Sequence, residues 1–365
     1  MTNNNKKVLH LIASLGNGGA ERQLIELLKK NNQHFLCSFS EAGVYEKKIK
    51  KLGITLIELK VKHPILMFLK IYKIIKVIRK YKIDMVHAWM YNACIVSVIV
   101  KYLSRKKKVK ILWGIRCSNM NVNYYPLQLR INLYFCKIFS RLADQIIYNS
   151  YAGFDYHRSL GFSNQNDRVI QNGIDSKKFK FCYITRQNLR QRYGLSKDEK
   201  VILCVARVDP MKGHKELLSA FARVVNKSGL KLILIGKGTE VFKNSKDVLA
   251  LGMINNVEVY YSMADFIIIP SIFGEGFSNV LVEGMLCKLF PISSDVGDNK
   301  SIIEKTGITF SPNDELLILK ALNKVISMKN KDIKNYSEKA FLRAKKKYDI
   351  SKMIRSYEKT YQAIS

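Results

Sequence analysis

Short, unbroken apolar runs recur along the chain, and each gives way to a segment with apolar residues at helical spacing. Runs of this length are the mark of strands buried on both faces, and their alternation with helices implies parallel sheets covered by helices. In the N-terminal half the runs predict strands near 7–13, 34–39, 54–58, 84–87, 109–113, 144–149 and 168–171. In the C-terminal half they predict strands near 201–206, 231–235, 266–269 and 289–292. A chain of 365 residues is too long for one comfortable core and suits two domains of about 170 residues each. The 47% hydrophobic content can fill both. Residues 172–183 lack periodicity and open on the turn signal Asn172-Gly173, which places the linker there. The expected fold class is therefore α/β, with two doubly wound Rossmann-like domains of parallel sheet over 1–175 and 176–344.

The chemistry concentrates in EGFSNVLVEGMLCKLFPISSDVGDN, Glu275 to Asn299. The apolar run Phe266 to Ile269 ends at Pro270, and a helical pattern of Val280, Leu281, Val282, Met285 and Leu286 follows, with Ser278 or Asn279 placed to cap it. Glu275 then lies in the loop at the carboxyl end of a strand, where open α/β sheets bind ligands, and Glu283 lies on the second turn of the helix. The N–H groups of Phe277, Ser278 and Asn279 fall between the two carboxylates and suit a phosphate. A second strand, Val201 to Ala206, runs into RVDPMKG, where Arg207 and Lys212 can neutralise a diphosphate without a metal. Leu232 to Glu240 enters a glycine turn at Gly236 and Gly238, and Val8 to Ala13 leads through Gly16, Gly18 and Gly19 into a helix over 20–30. The N-terminal loop is too irregular for a dinucleotide fingerprint. Singly, such carboxylates and cations are ordinary solvated groups; the strand-loop-helix setting favours a nucleotide-sugar pocket.

These residues resemble the glycosyltransferase family four group, retaining enzymes of the GT-B architecture that use nucleotide-sugar donors. The likeness runs through GGAE at Gly18 to Glu21, VHAWMYNA at Val86 to Ala93, VIQNGID at Val169 to Asp175, RVDPMKG at Arg207 to Gly213 and the Glu275 block. It implies two domains facing across a cleft, and a C-terminal helix over 345–365 that packs back on the first domain. It implies that Arg207 and Lys212 hold the donor diphosphate, Glu275 the transferred sugar, and Glu283 the ribose. His87 then matches the histidine near the sugar C1, and Gly18 and Gly19 the loop that closes over the phosphates. Against these stand blander readings: His87 as a hydrogen-bonded, half-buried strand-end residue, and Arg116, an acceptor or phosphate contact by resemblance, as a structural ion pair. Trp89 and Asn92 stand where relatives often carry histidines, Gly284 and Lys288 where alanine and glycine are usual, and Asp298 where glycine is common.

The expected reaction is metal-independent, retaining transfer of a hexose-type sugar from a UDP- or GDP-linked donor to a hydroxyl, with no cofactor. A sugar-nucleotide epimerase on the same scaffold, or a non-catalytic basic module that binds membrane or nucleic acid, are the alternatives. Seven cysteines without a CxxC pair suggest neither a disulfide framework nor a zinc site, and the apolar run 8–15 reads as a first strand, not an export signal, so a cytoplasmic protein is expected. No run approaches the roughly 20 apolar residues of a bilayer span. The net charge of +33 calls for an anionic neighbour that a sugar-nucleotide pocket does not supply. Between Val61 and Lys82, Ile65, Phe68, Leu69, Tyr72, Ile75 and Ile78 are expected to form one helix face and Lys62, Lys70, Lys73, Lys76, Arg79 and Lys80 the other. Such a helix can lie on anionic lipid, with Arg105 to Lys108 extending the basic surface, although the stripe can equally pack on the first sheet. The expected setting is peripheral, at the inner face of the plasma membrane, with a lipid-linked glycan as acceptor. Nucleic acid is not expected as a partner, since no helix-turn-helix, zinc-finger or RNA-binding signature is present.

Overall fold

The computed structural model describes residues 6–16, 18–29, 34–41, 43–61, 66–104, 109–225, 229–242 and 244–364. The chain divides into two units, 1–172 with 351–365, and 173–350.

The first unit is built on a seven-stranded parallel sheet of order β3-β2-β1-β4-β5-β6-β7: β1 (Val8–Ile12), β2 (His34–Ser38), β3 (Thr55–Glu58), β4 (Met85–Trp89), β5 (Lys110–Ile115), β6 (Gln145–Tyr148) and β7 (Arg168–Val169). All seven runs read from the sequence are strands, because β-branched and leucine side chains can be buried on both faces only where helices cover the sheet. The connecting helices are α1 (Gly19–Leu28), α2 (Glu46–Lys51), α3 (Leu66–Tyr81), α4 (Met90–Leu103), α5 (Leu127–Phe139) and α6 (Tyr151–Ser159). Helix α4 packs between α3 and α5.

The second unit carries a six-stranded parallel sheet, β10-β9-β8-β11-β12-β13: β8 (Lys200–Val205), β9 (Leu230–Ile235), β10 (Val248–Ala250), β11 (Phe266–Ile269), β12 (Phe290–Ser294) and β13 (Ile308–Phe310). Its helices are α7 (Tyr183–Arg192), α8 (His214–Ala222), α9 (Asn279–Leu286), α10 (Asn299–Ile303), α11 (Glu315–Ser327) and α12 (Asn330–Lys347), and α13 (Ile350–Ala363) carries the chain back to the first unit. The edge strands β10 and β13 are three residues each, too short to leave a periodic signature.

Two boundaries differ from the sequence expectation. The first unit ends at Asn172, and the returning segment starts at Ser351, not 345. The cause is a backbone pairing: Ile174 N–H donates to the Tyr348 carbonyl (2.8 Å) and Ile350 N–H to the Ile174 carbonyl (3.1 Å), and this interrupts the helix between α12 and α13. Helix α3 is also rotated from its expected orientation. Ile71, Ile74 and Ile78 are buried, while Leu69 and Tyr72 face outward. At about 100° per residue the 71/74/78 seam and the 69/72 pair lie on opposite sides. Ile65 and Lys62 of that stripe, and the 105–108 cluster, lie outside the described residues, and the Phe68 side chain is not described.

Candidate active site

In the second unit the chain leaves β8 toward β9 on one side and β11 toward β12 on the other, so the strand order reverses between β8 and β11. The carboxyl ends of these two strands mark the crevice where doubly wound sheets take ligands. Arg207 and Lys212 follow β8, and Glu275 follows β11. Lys212 Nζ donates to Glu275 Oε1 at 2.5 Å, and the Ser271 hydroxyl donates to the same oxygen at 2.8 Å. The Glu275 side chain is 10% exposed and that of Lys212 18%. Burial pushes the Glu275 carboxyl up, but the Lys212 charge and hydrogen bond, the Ser271 hydroxyl and the Arg207 charge outweigh it and hold the group below the ordinary carboxylate range. A water-sized cavity of about 20 Å³ lies against this pair, lined among others by Ala206, Pro270, Ser278 and Val280. Arg207 reaches into solvent, with Nε and Nη2 on Asp209 Oδ2 at 3.1 and 2.8 Å. One fixed anion, one half-buried cation and one exposed cation thus converge at the switch point.

Three glycines set this geometry. At Gly213 (φ 66°) a Cβ would overlap the Pro270 carbonyl, at Gly236 (φ 150°) the Ala206 carbonyl, and at Gly297 (φ 63°) the carbonyls of Glu275 and Gly276. Loops from β9 and β12 and the start of α8 are thereby pressed onto the backbone that carries Arg207 and Glu275. Asp298 N–H donates to the Gly276 carbonyl at 2.9 Å and completes the contact. Gly297→Ala is expected to cost roughly 2–4 kcal/mol, from left-handed backbone and overlap together. The displacement of Glu275 is expected to lower turnover about 100-fold. Thermal unfolding and kcat/KM check both.

Helix α9 starts at Asn279 with Ser278 at its N-cap, but the Ser278 hydroxyl makes no capping hydrogen bond. Phe277, Ser278 and Asn279 are all buried, and Phe277 packs edge-on against Tyr348. Glu283 is wholly buried beneath this turn and accepts from the Tyr261 hydroxyl at 2.7 Å. The structure therefore joins Glu275 to Lys212 but places Glu283 in the layer below, on a tyrosine. Gly284 has a plain reason: a Cβ there would lie 2.6 Å from Ile267 Cγ2 on β11.

The family model described as "Glycosyl transferases group 1" matches residues 185–343, and that described as "Glycosyltransferase Family 4" matches 17–178. The chain belongs to the family-four glycosyltransferases. It is similar to the N-acetylgalactosamine-N,N'-diacetylbacillosaminyl-diphospho-undecaprenol 4-alpha-N-acetylgalactosaminyltransferase of Campylobacter jejuni, 28% identical over 78% of this chain and 79% of that protein. It is also similar to the capsular polysaccharide biosynthesis glycosyltransferase CapH of Staphylococcus aureus, 23% identical over 81% and 83%. Among solved structures, Anabaena HepE in complex with UDP and glucose superimposes with a TM-score of 0.85 at 20% identity, covering 98% of this chain and 100% of that one. WaaG, a glycosyltransferase involved in lipopolysaccharide biosynthesis, gives 0.76 at 12%, covering 98% and 100%. Both share the fold.

In the first unit of this glycosyltransferase the strand order reverses between β1 and β4, where Gly18 caps α1, Gly19 opens it, and His87 sits within β4. His87 is fully enclosed, contrary to its expected place beside a substrate. Its Nδ1 meets the Tyr361 hydroxyl at 2.8 Å, its Nε2 is buried without a hydrogen bond, and Gly114 closes on that nitrogen. Trp89 Nε1–H donates to His10 Nδ1 (3.0 Å), which leaves His10 Nε2–H to donate to His34 Nδ1 (3.2 Å). This relay of neutral imidazoles packs against Tyr357 and Tyr361 of α13. Arg116 is likewise drawn inward: it donates from Nη1 to the Tyr357 hydroxyl (2.8 Å) and from Nη2 to Asn172 Oδ1, and stacks on Trp89. Its place as an acceptor contact gives way to one that anchors α13. The tyrosine partners of His87 and Arg116 come from more than 200 residues away, which is why strand-end position alone does not reveal them.

Proposed function

We propose that this glycosyltransferase moves a hexose-type sugar, with retention and without a metal, from a nucleotide-diphosphate donor to a hydroxyl of a lipid-linked glycan. The observation that carries the reading is the Lys212–Glu275 pair at the switch point of the second sheet, with Arg207 beside it. As the bond from C1 to oxygen breaks, negative charge grows on the departing diphosphate, and fixed cations aimed at it stabilise that state selectively. Lys212 has three donors and spends one on Glu275, so the others can meet phosphate oxygens. Arg207 supplies a planar fork from the same loop. Glu275, kept ionised, accepts hydroxyl hydrogen bonds and orients the sugar. Its grip by Lys212 and Ser271 suits orientation over nucleophilic attack, and the leaving phosphate takes the acceptor proton on the same face.

Support for the donor comes from HepE, solved with UDP and with UDP-glucose. Support for the acceptor comes from the Campylobacter relative, whose name specifies a diphospho-undecaprenol. A lipid-linked acceptor places the enzyme peripherally at the inner face of the membrane. Among the described residues no helix is long and apolar enough to cross one.

The test offers the purified chain a panel of UDP- and GDP-sugars with and without a polyprenyl-diphosphate glycan. Nucleoside diphosphate is expected only when both are present, with the donor's anomeric configuration kept in the product by NMR, and Glu275→Gln is expected to lower turnover at least 100-fold. Isomerised donor without acceptor would make the chain an epimerase and overturn the reading, as would an inverted product or failure to bind any nucleotide sugar.

A further inference from the structure

Helix α5 is apolar on two opposite sides. Its inner side, Asn132, Leu133 and Cys136, is buried. Its outer side carries Leu127, Ile131, Tyr134, Phe135 and Ile138, spaced at i, i+4, i+7, i+8 and i+11, and these side chains are between 41% and 65% exposed. With the inner side already packed, an exposed apolar stripe of this length marks an interaction surface. Alongside it run Arg130, Lys137 and Arg141, all exposed. Neighbouring helices add to the same layer: Tyr102 and Leu103 end α4 with 65% and 56% exposure, and Leu69 and Tyr72 stand on the outward side of α3 with Lys76 and Arg79.

Charge identifies the occupant. From Leu59 to Ala143, the stretch that contains all three helices, Asp84 is the only acidic residue against 18 lysines and arginines. That is +17 of the chain's +33. A second copy of this chain would bring the same positive surface against itself. An anionic bilayer meets both halves of the pattern: aliphatic and aromatic side chains enter the headgroup boundary, and lysine and arginine reach lipid phosphates. At 13 residues α5 is well short of the roughly 20 that span a bilayer, so it lies in the interface. We infer that the outward face of α5, with the adjoining faces of α3 and α4, docks this protein on an anionic lipid surface. This moves the contact from the basic side of α3, where the sequence pattern puts it, to the apolar stripe of α5. The inference deepens the membrane-side placement proposed above, and its test is read independently of sugar transfer.

The experiment is co-sedimentation of the full chain with vesicles of phosphatidylglycerol and phosphatidylcholine in equal parts. Wild type is expected to partition at least tenfold more strongly than onto phosphatidylcholine alone. The variant Ile131→Ser/Phe135→Ser/Ile138→Ser, altered only at exposed positions, is expected to lose at least tenfold of that partitioning, with its melting temperature and its transfer to a water-soluble acceptor unchanged. Arg130→Gln/Lys137→Gln/Arg141→Gln is expected to weaken binding and flatten its salt dependence. Unchanged partitioning of the serine variant overturns the inference. So does loss of binding in Lys73→Glu/Lys76→Glu while both α5 variants bind normally. A wild-type dimer that the serine substitutions dissociate would assign the stripe to a second copy, and polynucleotide binding without vesicle binding would assign the charge to nucleic acid. Failure of transfer with intact vesicle binding leaves the docking face standing and sinks only the catalytic reading.

Discussion

Replacing Lys212 with methionine is expected to lower kcat/KM about a thousandfold, which corresponds to ~4 kcal/mol of transition-state stabilisation. Methionine keeps the length and much of the apolar stem, so the packing of the loop after β8 should survive. What disappears is the cation proposed to face the leaving diphosphate. A second effect must be separated from the first. The substitution takes the Lys212 ammonium away from the buried Glu275 carboxylate, and breaking a buried ion pair from one side can cost about 3–5 kcal/mol. Turnover is therefore to be measured well below the melting temperature and alongside Lys212→Met/Glu275→Gln. Removing both charges should return at least half of the lost stability, because no uncompensated ion remains, yet it should restore no activity. If the double variant regained turnover, or the single variant stayed within fivefold of wild type, the pair would be a structural ion pair and the reaction centre would lie elsewhere.

The parts of this site that could be read in sequence are those fixed by local rules. Phe266–Ile269 has to be a buried strand, Pro270 ends it, and Glu275 then follows at a carboxyl end; Arg207 and Lys212 follow Val201 to Ala206 in the same way. What stayed hidden depends on contacts between distant segments. Nothing near Gly297 signals that its missing Cβ lets the loop after β12 lie on the Glu275–Gly276 backbone. Nothing near Glu283 signals that Tyr261 fills the space beside its carboxylate. The departures from the family pattern are explained in the same terms: Gly284 is dictated by Ile267, and Lys288, in a position where relatives usually have glycine, holds φ at 61° while pairing with Glu338 at 2.8 Å. Helix α3 shows the limit of periodicity. Its 16 residues offer apolar positions on more than one side, so the spacing identified a helix but not the side that faces the sheet.

Acidification is expected to unfold the first unit before the second, and the histidines set the direction. Burial holds His34 down at about 4, and likewise His157, despite the opposing pull of the Gly153 carbonyl. His10 and His87 are held well below 6.5, foremost by burial, with the neighbouring His34 and Arg116 charges acting the same way. Unfolding returns each ring to its ordinary value near 6.5. Between pH 6.5 and about 4 the unfolded chain therefore binds protons that the folded chain refuses, so stability is full above pH 6.5 and falls as the pH drops. Each ring removes on the order of 1.4 kcal/mol per pH unit across that window, and the four rings of the first unit act together against Asp167, whose carboxyl, pushed up to about 6 by burial, offsets roughly one of them. The second unit has one such group, His214, held at about 4 by burial and then by the Lys212 charge, so its loss is several times shallower. The chain's two tryptophans, Trp89 and Trp113, both lie in the first unit, Trp89 being the donor to His10. Their emission should shift to the red between pH 6 and 4.5 while far-ultraviolet circular dichroism retains the signal of the second sheet, and potentiometry should register uptake of several protons in that step. Protonation of the His10–His34 relay sets two N–H groups against each other under the ring of Tyr361, which packs edge-on against both imidazoles, so α13 should loosen in the same transition and become cleavable within Ser351 to Ala363. A flat stability profile from pH 7 to 5, or fluorescence and dichroism changing together, would show that these imidazoles do not govern the fold.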